Sequence, residues 1–436
     1  MYRNKGTITV FLSLISMLFL SLFCTMAESV RVQAARFQAA AAFDMGLFSI
    51  FGEYDRVLLE EYDLWFLDGS NEEQKIREVL ETKLEKYIQP NINPRYNLAA
   101  GRSWDVFPTE LDRCTVDKYA LATDHGGQVF YSQAVENQKE LFVGEAASAL
   151  KKNIKQMEEG HQKGEEYQNE EQKADEEYQR AQAAQMEEKK RQESEKENAE
   201  KQEESDIKET EAVQAKVENP LDQIKKIKSM GILGLVLKDG TVVSDKTIER
   251  KNLPSERNLQ KGSLLVNEIS ADPVSEAIFL NYLQKHFQCA VDEGGKHQKG
   301  SKEHSLSYEL EYIIGGQKSD RENLKKTVNR ILLIREGMNY ATLAKSAKMR
   351  GEAMALAAAI TGAAALPEFA GALQKLLMLA WAYGESLLDV RTLLAKGKVP
   401  MLKAETEWKL PLEKLGMLAE VLKECDAGGG NGQSYE

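Results

Sequence analysis

A chain of 436 residues has room for two or three domains, one of them with a sizeable core. Its net charge of −12 argues against general attraction to nucleic acid or to anionic lipid. Four cysteines without a CxxC pair argue against a disulfide-stapled secreted scaffold.

The first element in the chain is a membrane helix. Residues 6–27, GTITVFLSLISMLFLSLFCTMA, carry no charge. As a helix these 22 residues span roughly 33 Å, which matches a hydrocarbon core of about 30 Å. The next stretch, ESVRVQAARFQAAAAFDM, has no Gly or Pro before Gly46. One long helix is expected, its first half in lipid and its second in water as a stalk, with residues 1–46 as a unit. A cleaved signal peptide wants a short apolar core and small residues at the cut, and Thr25-Met26-Ala27 supplies them poorly. A lipoprotein site wants small residues before Cys24, where Leu22 and Phe23 stand. The uncleaved single-pass anchor fits the length best. Arg3 and Lys5 precede the span and orient the N-terminus to the cytoplasm and the bulk of the chain outside, with Arg31 and Arg36 opposing them. Thr9, Ser13 and Ser16 offer helix contacts within the membrane, against lipid-tolerated polarity as the simpler reading.

Residues 47–150 begin an extracytoplasmic α+β domain. The stretch 47–67, LFSIFGEYDRVLLEEYDLWFL, is too apolar for a solvated stalk and should pack as helix on the globular part. A turn at 68–71 leads to a helix over 72–87, with Ile76, Val79, Leu80, Leu84, Tyr87 and Ile88 on one face and Pro90, Asn91, Asn93 and Pro94 ending it. Residues 112–132 read as a hairpin, with Asp124-His125-Gly126-Gly127 as the turn between two strands. A helix begins at Ser132.

Residues 151–218 change character. Over 151–220 there are 13 Lys and Arg against 21 Asp and Glu, which is two thirds of the net charge of the chain. Tyr167, Ala174 and Ala181 keep a seven-residue step, but the seam around them is Glu, Gln and Lys. The expected form is a water-exposed helix held by i, i+4 Glu–Lys pairs, or a partly disordered spacer. A coiled-coil dimer is the alternative. Deleting residues 155–215 is expected to leave folding intact.

Residues 219–425 resume the α+β domain. Asn219-Pro220 opens a helix that ends at Gly231. ILGLVL, Lys238-Asp239-Gly240 and TVVS form a hairpin signal around an Asp-Gly turn. Residues 273–288 look helical. Tyr308-Glu309-Leu310-Glu311-Tyr312 reads as a strand with both glutamates on its solvated face. Ser319 and Glu322 fit a capping box. Residues 322–395 are expected to form an antiparallel helical hairpin at the core. The tail, residues 426–436, is expected to be flexible. The predicted fold class is α+β, predominantly α-helical.

Four groups of residues carry candidate chemistry. His286, Cys289, His297 and His304 have partly ligand-like spacing, but structural zinc sites usually show tighter paired ligands, and a loop beside a core cysteine is the simpler reading. Asp124 and His125 suggest a dyad that a turn explains equally well. Glu309 and Glu311 are paired carboxylates that acid–base work would need, against a half-buried strand. Glu385, Asp389 and Arg391 sit in a strongly apolar helix. If buried they need partners, and Arg330 or Arg335 on the preceding helix would complete an ion-pair network. There is no HExxH, Walker A loop or GxSxG elbow, and no cofactor is expected. Of the cysteines outside the span, Cys114 and Cys289 are the pair a disulfide would join, with small buried thiols as the competing reading.

Several stretches together resemble an uncharacterised family of membrane-anchored surface proteins of Gram-positive anaerobes, often encoded with tight-adherence (Tad) pilus components. They are Lys5-Gly6-Thr7-Ile8-Thr9-Val10-Phe11, residues 121–130, Gln133-Ala134-Val135, residues 231–240, Tyr308-Glu309-Leu310-Glu311-Tyr312-Ile313, residues 381–394 and Lys398-Val399-Pro400. The resemblance implies a cell-surface role in pilus assembly or adhesion and no enzyme activity. The N-terminus is also similar to Tad pseudopilins, which implies processing between Gly6 and Thr7. Prepilins usually carry Glu at the fifth mature position, where this chain has Phe11. The expected partners are the membrane, other pilus or envelope proteins and a second copy of the chain. A surface hydrolase, favoured by a pocket where Glu309 or Glu311 meets His286, is the runner-up. An adaptor reaching through the cell wall is a third reading.

Overall fold

The computed structural model describes residues 5–68, 76–92, 96–97, 103–104, 109–139, 145–199, 220–238, 240–249, 251, 262–264, 272–291, 304–363, 369–424 and 435. The chain folds as two compact units, Met1–Glu140 with Pro254–Ser270, and Leu141–Leu253 with Ala271–Glu436.

In the first unit, helix α1 runs unbroken from Lys5 to Phe51. It is the one described helix long and apolar enough to cross a membrane, with its apolar window exposed. The helix does not stop at Gly46, and its last turns are not a free stalk. Ala42 and Ile50 are buried with Leu84, Ile88 and Ile92 of α3, Ile76–Ile92. Gly46 is where the two helices meet most closely: a Cβ there would lie 2.5 Å from Ile88 Cγ1. Gln38 adds a bond from Nε2 to the Asn91 carbonyl at 2.9 Å. Between them, α2, Arg56–Tyr62, is capped by Asp55, whose carboxylate accepts from the Val57 and Leu58 N–H groups. α3 ends at Ile92, within the 90–94 stretch expected to end it; Pro90 lies inside its last turn, and the Asn91 side chain donates to the Tyr87 carbonyl there.

The hairpin expected at 112–132 does not form. Residues 109–121 run as irregular chain tied to α3, where Glu81 and Glu85 accept from the Val116 and Cys114 N–H groups at 2.9 and 3.2 Å. The turn is where the sequence placed it, with His125, Gly126 and Gly127 all at positive φ. The chain leaves this turn as helix, not strand: α4, Asp124–Lys139, is regular beyond these three residues. Ala134, Val135 and Gln138 are buried at i, i+1, i+4, so a helical face, not alternation, meets the core. The two-residue strands Tyr96–Asn97 and Ser103–Trp104 pair antiparallel and coincide with neither predicted hairpin.

The second unit is helical around a three-way packing of α5 (Glu145–Ala199), α10 (Asp320–Lys345) and α12 (Ala370–Leu394). Residues 151–199 of the charged segment are therefore helix, and the first part of it belongs to the core rather than to a water-exposed spacer; residues 200–218 lie outside the described residues. Tyr167 and Ala174 are buried, and the Tyr167 hydroxyl donates to the Leu379 carbonyl at 3.1 Å. A Cβ on Gly164 would lie 2.7 Å from the Leu333 carbonyl oxygen, and Gly337 faces Gly164 directly. Tyr167 and Ala174, two positions of the seven-residue step that suggested a dimer seam, are used within the chain.

Short helices fill the flanks. α6, Pro220–Lys228, buries Leu221, Ile224 and Ile227. The hairpin expected after it is also absent: Ile232–Val236 is a helix, α7, whose Ile232, Leu235 and Val236 are buried at i, i+3, i+4. Arg391 explains the change, donating from Nη1 to the Leu235 and Leu237 carbonyls that a partner strand would otherwise satisfy. Gly240 still makes the predicted turn, with φ of 86°. α8, Pro273–His286, begins on an Asp272 cap with proline in its first turn. The strand expected at 308–312 is helix α9, Glu309–Gly315, closed by left-handed Gly316. Ser319 caps α10, accepting from the Glu322 N–H at 3.3 Å. α11, Ala347–Ala363, packs on α12. α13, Leu418–Glu424, comes after two 3₁₀ turns. Cys114 is buried in the first unit and Cys289 in the second.

Candidate functional site

Helix α12 is buried on every side from Leu376 to Leu393. A helix in that position is normally apolar all round, yet this one carries Glu385, Ser386, Asp389, Arg391 and Thr392. Burying charges and hydroxyls together in one helix is costly unless each group finds a partner. The structure supplies those partners from α10 and from the irregular chain after α12.

Asp389, fully buried, receives Arg335 of α10 at two points: Nε and Nη2 donate to Oδ2 at 3.0 and 2.7 Å. Asn339, one turn on, donates to the same oxygen at 2.9 Å and to Ser386 Oγ at 2.9 Å. Pairing 335 with 389 and 339 with 386 is the register of an antiparallel helix pair. Arg335 Nη1 donates to the Pro400 and Met401 carbonyls at 2.9 and 3.0 Å. The remaining charges close through Lys403, whose ammonium pairs with both Asp389 Oδ1 and Glu385 Oε1. Glu385 also accepts from the Lys409 and Leu410 N–H groups at 3.0 and 2.8 Å. Two cations and two carboxylates thus cancel inside the unit. Burial pushes the Glu385 carboxyl up, with Lys403 opposing it and Asp389 adding to it. Burial acts on Asp389 in the same sense, but Arg335, Lys403 and Asn339 outweigh it and hold that carboxyl below its usual value.

The structure therefore brings Glu385, Asp389 and Arg335 together and leaves Arg391 out. Arg391 caps α7 instead. Arg330 lies on the exposed side of α10. Lys403, the residue that links the two carboxylates, has no place in the sequence reading. It lies in non-helical chain, and its one signal is a lysine shortly after the Lys398-Val399-Pro400 stretch.

A second polar cluster surrounds α9. Asp320, fully buried, accepts from Ser244 Oγ at 2.6 Å and from the Ser307 and Tyr308 N–H groups at 2.9 and 3.2 Å. Glu309 Oε2 accepts from the Gln288 N–H at 2.9 Å, and its Oε1 lies 2.7 Å from His304 Nδ1. Glu311 Oε1 accepts from the Ala290 N–H at 2.9 Å and from the Tyr435 hydroxyl at 2.7 Å. Glu311 is thus buried, not on a solvated face. Burial pushes its carboxyl above the usual range, against the Ala290 and Tyr435 bonds, with Asp320 adding to the rise. His286 lies against Tyr282 at 4.6 Å between ring centres, and it is His304 that meets Glu309. His297 lies outside the described residues. Among the described residues no group of three or more His, Cys, Asp or Glu could hold a metal ion.

The remaining candidates are explained locally. Asp124 closes its own turn by accepting from the Leu121 N–H at 2.8 Å and fastens the Gly262 N–H at 3.0 Å. His125 is exposed beside it. Gly6 and Thr7 lie in the first turns of α1, where Gly6 is exposed and its carbonyl accepts from the Thr9 hydroxyl at 2.9 Å. Ser13 bonds the Val10 carbonyl in the same way.

A family profile described as a family of unknown function (DUF5702) matches residues 210–436. The matched part holds the whole charge network and the α9 cluster. No curated protein and no solved structure matches the chain.

Proposed function

The chain belongs to this DUF5702 family, and from that premise we propose that it is a membrane-anchored structural or assembly protein. It acts outside the cytoplasm through protein–protein contacts, in a tight-adherence pilus or a related adhesion system. Its N-terminus is cytoplasmic, and its partners are other envelope or pilus proteins. The observation that carries this reading is α1. One helix of 47 residues joins an exposed apolar span to turns packed on α3. Such a join fixes the first unit to the membrane without a loop between them, which suits a protein that positions others. The buried charges of the second unit are consistent with the same reading, since Glu385, Asp389, Arg335 and Lys403 pair with one another and with neighbouring backbone and Asn339.

The hydrolase reading has less to rest on. Glu309 spends one oxygen on the Gln288 N–H and the other on His304, and Glu311 is closed off by Tyr435.

The test is the N-terminal sequence of the mature protein from fractionated cells. An intact start in the membrane fraction supports the permanent anchor. A start at Thr7 means prepilin-type processing and makes filament incorporation the working idea despite Phe11. A start near Glu28 in the medium overturns the anchor.

A further inference from the structure

Lys403 lies in non-helical chain, yet its ammonium is held between two carboxylates inside the second unit. The Glu385 and Asp389 side chains are fully buried, and the Lys403 side chain is 2% exposed. The Trp408 ring centre lies 6.0 Å from Lys403 Nζ, and Trp408 meets Trp381 edge to face. An ion pair in such a place carries the desolvation cost of both charges. Ammonium and carboxylate in contact are also the two halves of an amide, and condensing them removes both charges. The two carboxylates are not equivalent. Asp389 Oδ2 accepts from Arg335 Nε and Nη2 and from Asn339 Nδ2, at 3.0, 2.7 and 2.9 Å. Three donors on one oxygen cradle the charge that develops there when the carboxyl carbon is attacked. Oδ1 is the oxygen that meets Lys403. Glu385, one turn back on α12, meets the same ammonium through Oε1. Burial raises the Glu385 carboxyl, which suits a group that takes a proton and returns it.

We propose that Lys403 and Asp389 are a self-modification site that closes to an internal amide, with Glu385 carrying the protons. Lys403 passes one proton to Glu385, and the neutral amine attacks Asp389 Cγ. As the N–C bond forms, negative charge moves onto Oδ2, under Arg335 and Asn339. Oδ1 receives the proton held by Glu385 and a second one from the nitrogen, the Cγ–Oδ1 bond breaks, and Oδ1 leaves as water. One carboxylate and one ammonium become one amide and one water, with no oxidant, reductant or cofactor. Contact between the reacting groups removes the entropic cost of bringing them together. Arg335 and Glu385 remain as one charge of each sign, so the interior stays neutral. The bond fastens α12 to the irregular chain after it, which noncovalent contacts alone otherwise hold. It rests on these side chains and does not depend on a membrane or a pilus.

The test is tandem mass spectrometry of the full chain, purified from the cells that make it and cut with trypsin. An unlinked chain yields residues 376–391 and 399–403 as separate peptides. A linked chain yields 376–391 joined to 399–409, because an amidated Lys403 is no longer cut. The joined pair is expected, lighter by one water than its two peptides together, with fragmentation placing the bond between Asp389 and Lys403. Separate peptides from the unaltered chain would overturn the proposal. A bond from Lys403 to Glu385 would overturn the choice of Asp389. Glu385→Gln tests the proton carrier: the yield of the joined pair is expected to fall by about a hundredfold, with hydrogen exchange over 376–391 unchanged. A joined pair at full yield in that variant would remove Glu385 from the step. Lost protection over 376–391 would make Glu385 a folding residue and strike it from the step as well, while the result on the unaltered chain decides the bond itself.

Discussion

At the scale of single residues, the second unit depends on charges that cannot be removed one at a time. Asp389→Ala leaves Arg335 and Lys403 facing each other without their shared carboxylate. The expected cost is about 3–5 kcal/mol, read as a lowered midpoint in chemical unfolding. An unchanged midpoint would mean that the network contributes nothing to the fold. Glu336 gives a different signature. It is buried in α10, and burial raises its carboxyl to about 8, with Lys228 opposing and Glu171 adding to the rise. Lys228 of α6 in turn pairs with Glu171 of α5 and sits 4.8 Å from the Tyr383 ring centre. The unfolded carboxyl ionises near 4.5 and the folded one near 8. Stability from this group is full below pH 4.5 and is lost as pH rises to about 8, by an amount on the order of a few kcal/mol. Denaturation of the wild type against Glu336→Gln over that range should show the variant losing less. Parallel curves would remove Glu336 from the explanation.

At the scale of elements, α5 shows how little apolar surface a helix needs in order to dock when its backbone can come close. Gly160, Gly164, Tyr167 and Ala174 are among its contacts. Gly164→Val places a side chain against the Leu333 carbonyl and should cost about 1–3 kcal/mol by overpacking. The control Ala184→Val, farther along the exposed helix, should cost far less. Equal midpoints for the two variants would show that the close approach is not made. Deleting residues 155–215 carries the opposite expectation from the one composition suggests: it strips Tyr167 and Ala174 from the core, so the second unit should unfold. Composition misleads here because a charged helix and a spacer have the same amino-acid content. The two glycines that let α5 and α10 touch read as neutral in any count of apolar residues.

At the scale of the whole molecule, α1 combines an exposed apolar span with last turns that pack in the fold. Removing residues 6–27 should release the chain from membranes while Ala42 and Ile50 stay packed on Leu84, Ile88 and Ile92. Removing residues 6–51 should also expose α3. Sedimentation with membranes and hydrogen exchange over 76–92 separate the two outcomes, and loss of α3 protection in the shorter deletion would refute the division of labour. The sequence by itself determined the long apolar helix, because 22 uncharged residues in a row with no Gly or Pro after Gly6 favour one continuous helix. It determined the cap of α10, because Ser319 acts on an N–H group within one turn. It also determined that Asp389 needs a cation from a neighbouring element, because a buried carboxylate has few alternatives. Only the tertiary structure decided that ILGLVL and YELEYI are helices, since short apolar runs fit either period and the choice falls to distant partners such as Arg391. It alone supplied Lys403, Tyr435 and the docking of α5, because each is a contact across many residues, and sequence patterns report only the face a residue lies on, not what meets it.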